Sequence, residues 1–453
     1  MILADTASCE KQFNRQQREA HMAIANLPRR TTAVGPPASS NQVALAVVTT
    51  LFFMWGFVTV LNDVLVPHLK SIFDLNYTKV MLIQFAFFSA YFLFSMPSAK
   101  VIDWIGYKKT MVAGLCTMGL GALLFIPAAS VPSYPLFLGA LMVLAAGITA
   151  LQVAANPYVA VLGPPETASS RLNLAQAFNS LGTTIGPYLG GMLILSVARQ
   201  STDTVRQMSA DARQAYRIHE AASVKLPYLI IGLALIGLGV VIALFKLPAM
   251  PEAERHGGAG TRESVWKYRH LVLAAIGIFV YVGAEVSIGS FLINYFTQTN
   301  IGNVSEVVAA GYVSYYWGGA MVGRFVGSAI LQKVRTDLVL GMAALVACAL
   351  VAGSMLTFGH VAMWAIILVG LFNSVMFPSI FTLGIAKLGP LTGDGSGLLV
   401  MAIVGGAIIP LLQGALADRI GIHHAFILPA ICYLDIAYYA FRGSRPVAVV
   451  VET

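Results

Sequence analysis

Long apolar blocks, each of a length that can cross a bilayer as a helix, recur along the whole chain. The pattern predicts spans at 43–68, 78–101, 110–129, 134–161, 172–197, 226–247, 270–296, 306–331, 337–357, 361–386, 394–416 and 423–441. Two longer polar connections interrupt the series. One covers 199–225 and carries Arg206, Asp211, Arg213 and Glu220. The other covers 248–269 and carries Pro251, Glu252, Glu254, Gly257, Gly258 and Gly260. The second divides the spans six and six, as a linker between two bundles would. The expected fold is therefore all-α and integral to the membrane, with twelve transmembrane helices in two pseudo-symmetric six-helix bundles. In domain terms the pattern predicts a disordered N-terminal tail at 1–42, a first bundle at 43–247 and a linker at 248–269. A second bundle follows at 270–442 and a C-terminal tail at 443–453.

Short matches between the halves point the same way. The fifth span holds Gly182-Thr183-Thr184-Ile185-Gly186-Pro187 and the eleventh holds Gly405-Gly406-Ala407-Ile408-Ile409-Pro410, each with Pro five residues after Gly. Asn156-Pro157 and Phe377-Pro378 sit in the fourth and tenth spans, followed later by Gly163-Pro164 and Gly389-Pro390. Two parallel halves around a central cavity would produce such matches.

Composition excludes a soluble protein. Charged residues make up 11% of the chain against about 25% in soluble domains, and hydrophobic residues make up 57%. The net charge of +8 would suggest nucleic acid in a soluble chain, but here the placement of the basic residues carries the information. Most of the 28 Lys and Arg fall on the side that holds both termini, so the positive-inside rule predicts cytoplasmic termini. No nucleic-acid partner is expected. The partners are the lipid bilayer and a small solute, and the chain is expected to work as a monomer. Cys9, Cys116, Cys348 and Cys432 form no CxxC pair, so neither a metal site nor a disulfide framework is predicted; they read as small buried hydrophobes. No HExxH or GxSxG motif occurs, and the eight histidines lie in the tail, loops or span ends, so an enzyme is not expected.

Three acids fall within spans: Asp63, Glu285 and Asp435. An acid near the middle of a spanning helix costs about 2.5–3.5 kcal/mol on insertion scales, which marks such residues as functional candidates. Asp63 on the first span and Glu285 on the seventh occupy matching places if the halves repeat. A carboxyl exposed to water in one state and occluded in another is the physical minimum for coupling transport to protons. The bland reading is an acid satisfied by neighbouring hydroxyls or amides, and Asp435, near a span end among Tyr433, Tyr438 and Tyr439, fits it better.

Amides form a second set. Gln152 and Asn156 are four apart on one helix face; Asn173, Gln176 and Asn179 recur at spacing three; Asn294, Asn373 and Gln413 complete the set. A side-chain amide both donates and accepts, as a sugar hydroxyl does. The alternative is helix–helix hydrogen bonding, which is common in lipid and is favoured for Asn173 and Gln413. Trp55, Phe57, Phe178, Tyr281, Tyr312, Tyr315, Tyr316 and Trp317 could stack on the apolar face of a sugar, although membrane aromatics more often pack or anchor.

These residues resemble a known family. Asp103-Trp104-Ile105-Gly106-Tyr107-Lys108-Lys109 after the second span looks like the cytoplasmic loop motif of the major facilitator superfamily. Gly323-Arg324-Phe325-Val326-Gly327 looks like its counterpart in the second half. More closely, the chain is similar to the fucose–galactose–glucose:proton symporters. The similarity rests on Leu61-Asn62-Asp63, Ala154-Ala155-Asn156-Pro157-Tyr158, Arg171-Leu172-Asn173-Leu174-Ala175-Gln176-Ala177-Phe178-Asn179-Ser180, Tyr281-Val282-Gly283-Ala284 and Ser290-Phe291-Leu292-Ile293-Asn294-Tyr295.

The resemblance implies proton-coupled import of a neutral hexose by alternating access, without a cofactor; some relatives use sodium. It places ion coupling on Asp63 and Glu285 and the sugar shell on Gln152, Asn156, Gln176, Asn179, Tyr281, Glu285 and Asn294. Asp103, Gly106, Lys108 and Arg324 fall in the cytoplasmic gate, away from substrate. Two departures from the fucose permease pattern matter: its fourth-span acid corresponds to Gln152, and its first-span substrate asparagine to Val60. Its neutral seventh-span glutamine corresponds to Glu285. Glucose or galactose is thus expected ahead of fucose, with N-acetylglucosamine, mannose or a disaccharide as alternatives.

Overall fold

The computed structural model describes residues 38–73, 77–131, 133–194, 224–248 and 264–446, with scattered positions between 208 and 222. Side chains of 38–41, 61–81 and 188–194 lie outside the described set. So do most of the predicted tails, the middle of the linker and most of the 199–225 connection. The chain divides at Asn41–Gln42, and the fold below is that of the second unit.

Every regular element among the described residues is helical. The first half contains α1 (Ala38–Phe73), α2 (Tyr77–Ser130), α3 (Tyr134–Val161), α4 (Ala168–Ile194) and α5 (Lys225–Leu244). The second contains α6 (Arg269–Phe296), α7 (Glu306–Ile330), α8 (Thr336–Leu356), α9 (Gly359–Asn373) and α10 (Met376–Gly384). It closes with α11 (Thr392–Met401), α12 (Gly405–Ile420), the short α13 (Ile422–Ala425) and α14 (Ile427–Tyr438).

Nine helices among the described residues are long and apolar enough to cross a membrane, and one of them, Leu82–Ser130, runs for 49 residues. That length is two crossings. The break falls at Gly106, whose φ of 80° and ψ of 165° lie outside the helical region. Only glycine takes this conformation without strain. α4 and α7, which pack against each other across the two halves, are not among the nine. With α9–α10 and α11–α12 each read as one broken crossing, the helices are consistent with twelve spans.

Close packing fixes the walls. A Cβ at Gly56 on α1 would collide with the backbone oxygen of Asn179 on α4, so only glycine lets these helices approach. In the first half Phe125 stacks on Tyr228 at 4.3 Å, joining α2 to α5. In the second half Asn373 is a hydrogen-bonding centre. Its carbonyl accepts from Tyr281 at 3.1 Å, its Oδ1 accepts from Tyr433 at 2.8 Å, and its Nδ2 donates to Tyr316 at 2.8 Å. Asn373 is thus spent on helix–helix contacts. Of the cysteines expected to be buried, Cys432 is buried, Cys348 is intermediate and Cys116 is exposed, while Cys9 lies outside the described residues.

Candidate functional site

A cavity of about 200 Å³ lies between the halves. The first half contributes Trp55 and Thr59 from α1, Phe87, Phe88 and Tyr91 from α2, Gln152 from α3, and Gln176, Asn179 and Thr183 from α4. The second contributes Tyr281, Val282 and Glu285 from α6, Arg324 from α7, Phe377 and Pro378 from α10, and Ile403. Aromatic rings and amides therefore share the lining, with one carboxyl and one guanidinium among the described side chains.

The polar groups are oriented by their neighbours. Gln152 Nε2 donates to the Tyr91 hydroxyl at 2.8 Å, while its Oε1 has no protein partner. Asn179 Nδ2 donates to the Phe52 carbonyl at 2.9 Å, tying α4 to α1. Glu285 Oε1 lies 3.9 Å from Arg324 Nη2, with side-chain exposures of 12% and 14%, and accepts no hydrogen bond. An ion pair this buried is electrostatically strong, yet its unfilled hydrogen-bonding capacity leaves room for a ligand hydroxyl. Behind it the Tyr316 hydroxyl donates to the Glu285 carbonyl at 3.3 Å. The Asn373 centre thereby holds the α6 wall from the rear.

One end of the cavity is closed by bonds between the halves, on the face that carries the 161–168, 331–336 and 385–392 connections. Ser170 Oγ donates to the Ser328 carbonyl at 2.7 Å, and their hydroxyls lie 3.3 Å apart. Asn173 Nδ2 donates to the Arg324 carbonyl at 2.7 Å. Ser396 Oγ donates to the Val153 carbonyl at 2.7 Å. Ser169 bonds Thr382 and also accepts from Thr336 at 3.0 Å. Arg324 Nη1 donates to Ser180. Phe178 and Phe325 meet edge to face at 6.0 Å.

The structure gathers Gln152, Gln176, Asn179, Tyr281 and Glu285 into one cavity and leaves two predicted members out. Asn156 is fully buried beside Pro157, with neither amide atom bonded, but does not line the cavity. Asn294 is exposed and lies nine residues beyond Glu285 on α6, about 13 Å along the axis. Asp63 lies on α1, and its side chain is outside the described residues.

The gate residues also divide. Asp103 and Tyr107 face Gly393 at the start of α11, across the halves. Lys108 instead donates to the Ala243 carbonyl at 2.8 Å, within its own half. Arg324 belongs to both places: its carbonyl and its Nη1 bond to Ser180 join the seal, while Nη2 lies in the cavity beside Glu285. Sequence reasoning missed Tyr91 and Ser180. Tyr91 follows Phe87 and Phe88 by one helical turn, a spacing that would place it on their face; Ser180 closes the fifth-span stretch that carries the family resemblance, but its residue type alone suggests no role.

A two-half helical bundle with a polar cavity sealed at one end is the architecture of an alternating-access membrane transporter. The sequence profile of the Major Facilitator Superfamily matches residues 44–403. The glucose/galactose transporter of Brucella abortus is 54% identical over 402 residues, covering 89% of this chain and 94% of the relative. The L-fucose-proton symporter of Escherichia coli is 37% identical over 418 residues, covering 89% and 94%. The crystal structure of the fucose:proton symporter FucP in the outward conformation superposes with a TM-score of 0.83 at 36% identity, covering 88% of this chain and 98% of FucP. The chain belongs to the Major Facilitator Superfamily and, within it, to the group that holds these glucose/galactose transporters and fucose–proton symporters.

Proposed function

We propose that the chain imports a neutral hexose, glucose or galactose, by symport with protons across the bacterial inner membrane. The observation that carries this reading is the cavity itself. Gln152, Gln176 and Asn179 offer both donors and acceptors opposite Glu285 and Arg324, whose charges offset each other, while Trp55, Phe87, Phe88 and Phe377 supply aromatic faces. A net ionic substrate would leave one of those charges unmatched; a polyhydroxylated neutral ring would not. The volume of about 200 Å³ lies below the roughly 300–1,000 Å³ of drug-sized pockets and suits one small solute.

The names of the relatives support the hexose, and the fucose–proton symporters support the proton. With both termini cytoplasmic, the sealed end faces the cytoplasm and the protein is outward-facing, in keeping with its likeness to FucP in that conformation. In this reading the monomer carries out the whole cycle. Asp63 exchanges the coupling proton, Gln152, Gln176, Asn179, Tyr281 and Glu285 hold the sugar, and rocking of the halves breaks the cytoplasmic seal.

The test is uptake of labelled sugars by cells that express the chain, run with and without a proton uncoupler, and again with sodium removed. Glucose or galactose accumulation that the uncoupler abolishes and sodium removal spares is the expected result. Accumulation that survives the uncoupler and collapses without sodium would replace the proton by sodium. No uptake of any hexose by protein that reaches the membrane would refute the reading.

A further inference from the structure

A second, larger hollow of about 810 Å³ lies beside the seam between the halves, apart from the central cavity. Its rear wall is the first limb of α2, with Leu82, Phe85 and Phe92; its sides are Gly139 and Met142 of α3 and Ile408 of α12. The periodicity of α2 shows that this is an outer face. Phe87, Phe88 and Tyr91 turn towards the central cavity, whereas Phe85, Ser89 and Phe92 fall on a different side of the same helix. Phe85 is 59% exposed and Phe92 54%, values that a water-facing wall of a soluble protein would not carry together.

We propose that this groove holds one acyl chain of a membrane phospholipid, seated between the two halves. The lining contains no charged residue and a single hydroxyl, that of Ser89, so a headgroup, a sugar or an ion finds no partner there. The chemistry left is hydrocarbon. From Leu82 to Leu93 the rear wall rises about 16 Å, which matches half of the roughly 30 Å hydrocarbon core, the depth of one leaflet. The groove also opens on the outer surface of these spans, where Leu82, Leu93 and Ile408 are exposed along with Phe85 and Phe92. A lipid chain entering here touches both halves at once, which one resting on a single outer helix does not.

The experiment reconstitutes the full chain in vesicles of phosphatidylethanolamine and phosphatidylglycerol doped with a phospholipid that carries a diazirine in one acyl chain. After illumination, cross-links are mapped by mass spectrometry. Groove peptides should be labelled severalfold above those of α5, where Leu229 and Leu233 are exposed on an ordinary outer face. A Cβ at Gly139 meets nothing within 4 Å, so Gly139→Leu fills the groove without disturbing a neighbour. It should bring groove labelling down to the α5 level and leave α5 unchanged. Ala407→Leu, on the opposite wall, should do the same and guards against a local fault in either variant. Equal labelling of groove and α5 in the parent chain would overturn the proposal. Cross-links from the groove to a second copy of the chain in place of lipid would also overturn it. So would modification of Ser89→Cys by a membrane-impermeant thiol reagent, because the hollow would then hold water.

Discussion

Removing Arg324 should be far more damaging than removing both members of its pair. Arg324 Nη2 and Glu285 Oε1 lie 3.9 Å apart, and both side chains are at least 86% shielded from solvent. At an effective dielectric constant near 20 their attraction is about 4 kcal/mol. Loss of one partner from a buried pair costs about 3–5 kcal/mol, because the other charge remains without compensation. Arg324→Gln should therefore destabilise the protein strongly, and Glu285→Gln should do so to a similar degree. The double variant, with two neutral amides of similar size, should regain most of the loss. A double-mutant cycle on the purified protein measures this, with unfolding followed by a thiol-reactive dye and sugar binding followed in parallel. The expected coupling is about 2–4 kcal/mol, the lower bound allowing for water entering the cavity. Strictly additive effects of the two substitutions, with coupling below about 0.5 kcal/mol, would refute the view that the two charges act as one unit.

Three further outcomes follow from the site and its seal. Asp63→Asn should abolish accumulation of sugar against a gradient while preserving exchange of labelled for unlabelled sugar; normal proton-driven accumulation by that variant would remove Asp63 from coupling. Gln152→Leu removes the cavity amide whose Oε1 has no protein partner and is free to accept from a sugar hydroxyl, a loss of about 0.5–1.5 kcal/mol, so sugar binding should weaken about two- to twelvefold, and an unchanged binding curve would count against a substrate role. In a cysteine-free background, Ser170→Cys with Ser328→Cys joins positions whose hydroxyls lie 3.3 Å apart; oxidation should stop uptake, keep sugar binding from outside, and be reversed by reductant, whereas uptake undiminished after complete cross-linking would show that the seal does not open there.

The apolar pattern made the membrane fold and its division legible, because a span of hydrocarbon requires a long apolar helix whatever its neighbours. Glu285 was legible for the same reason: a carboxyl in such a run is costly and stands out. The amides were only half legible. Gln152 and Asn156 share a helix face, yet only Gln152 reaches the cavity, and Asn373 is occupied by three tyrosines from other helices. Which use a membrane amide serves depends on what the adjacent helices present at its level, and spacing along one helix does not contain that. The family resemblance puts Arg324 in the gate, as the counterpart of the Asp103 loop motif. Its backbone and Nη1 do belong to the seal, but the long side chain also reaches Glu285 in the cavity through Nη2. An arginine can thus contribute to two different places.

The seal between the halves is assembled largely from serine and threonine hydroxyls and backbone carbonyls. Each such bond is worth only about 0.5–1.5 kcal/mol net, because water offers nearly the same partner. Opening this face therefore resembles a solvent exchange more than the tearing apart of a packed core: each hydroxyl that lets go can be rehydrated at once. A contact of interdigitated leucines would have made one conformation a deep trap. Built this way, the two orientations can lie close in free energy, and the modest affinity of a single sugar and proton is enough to tip the balance between them.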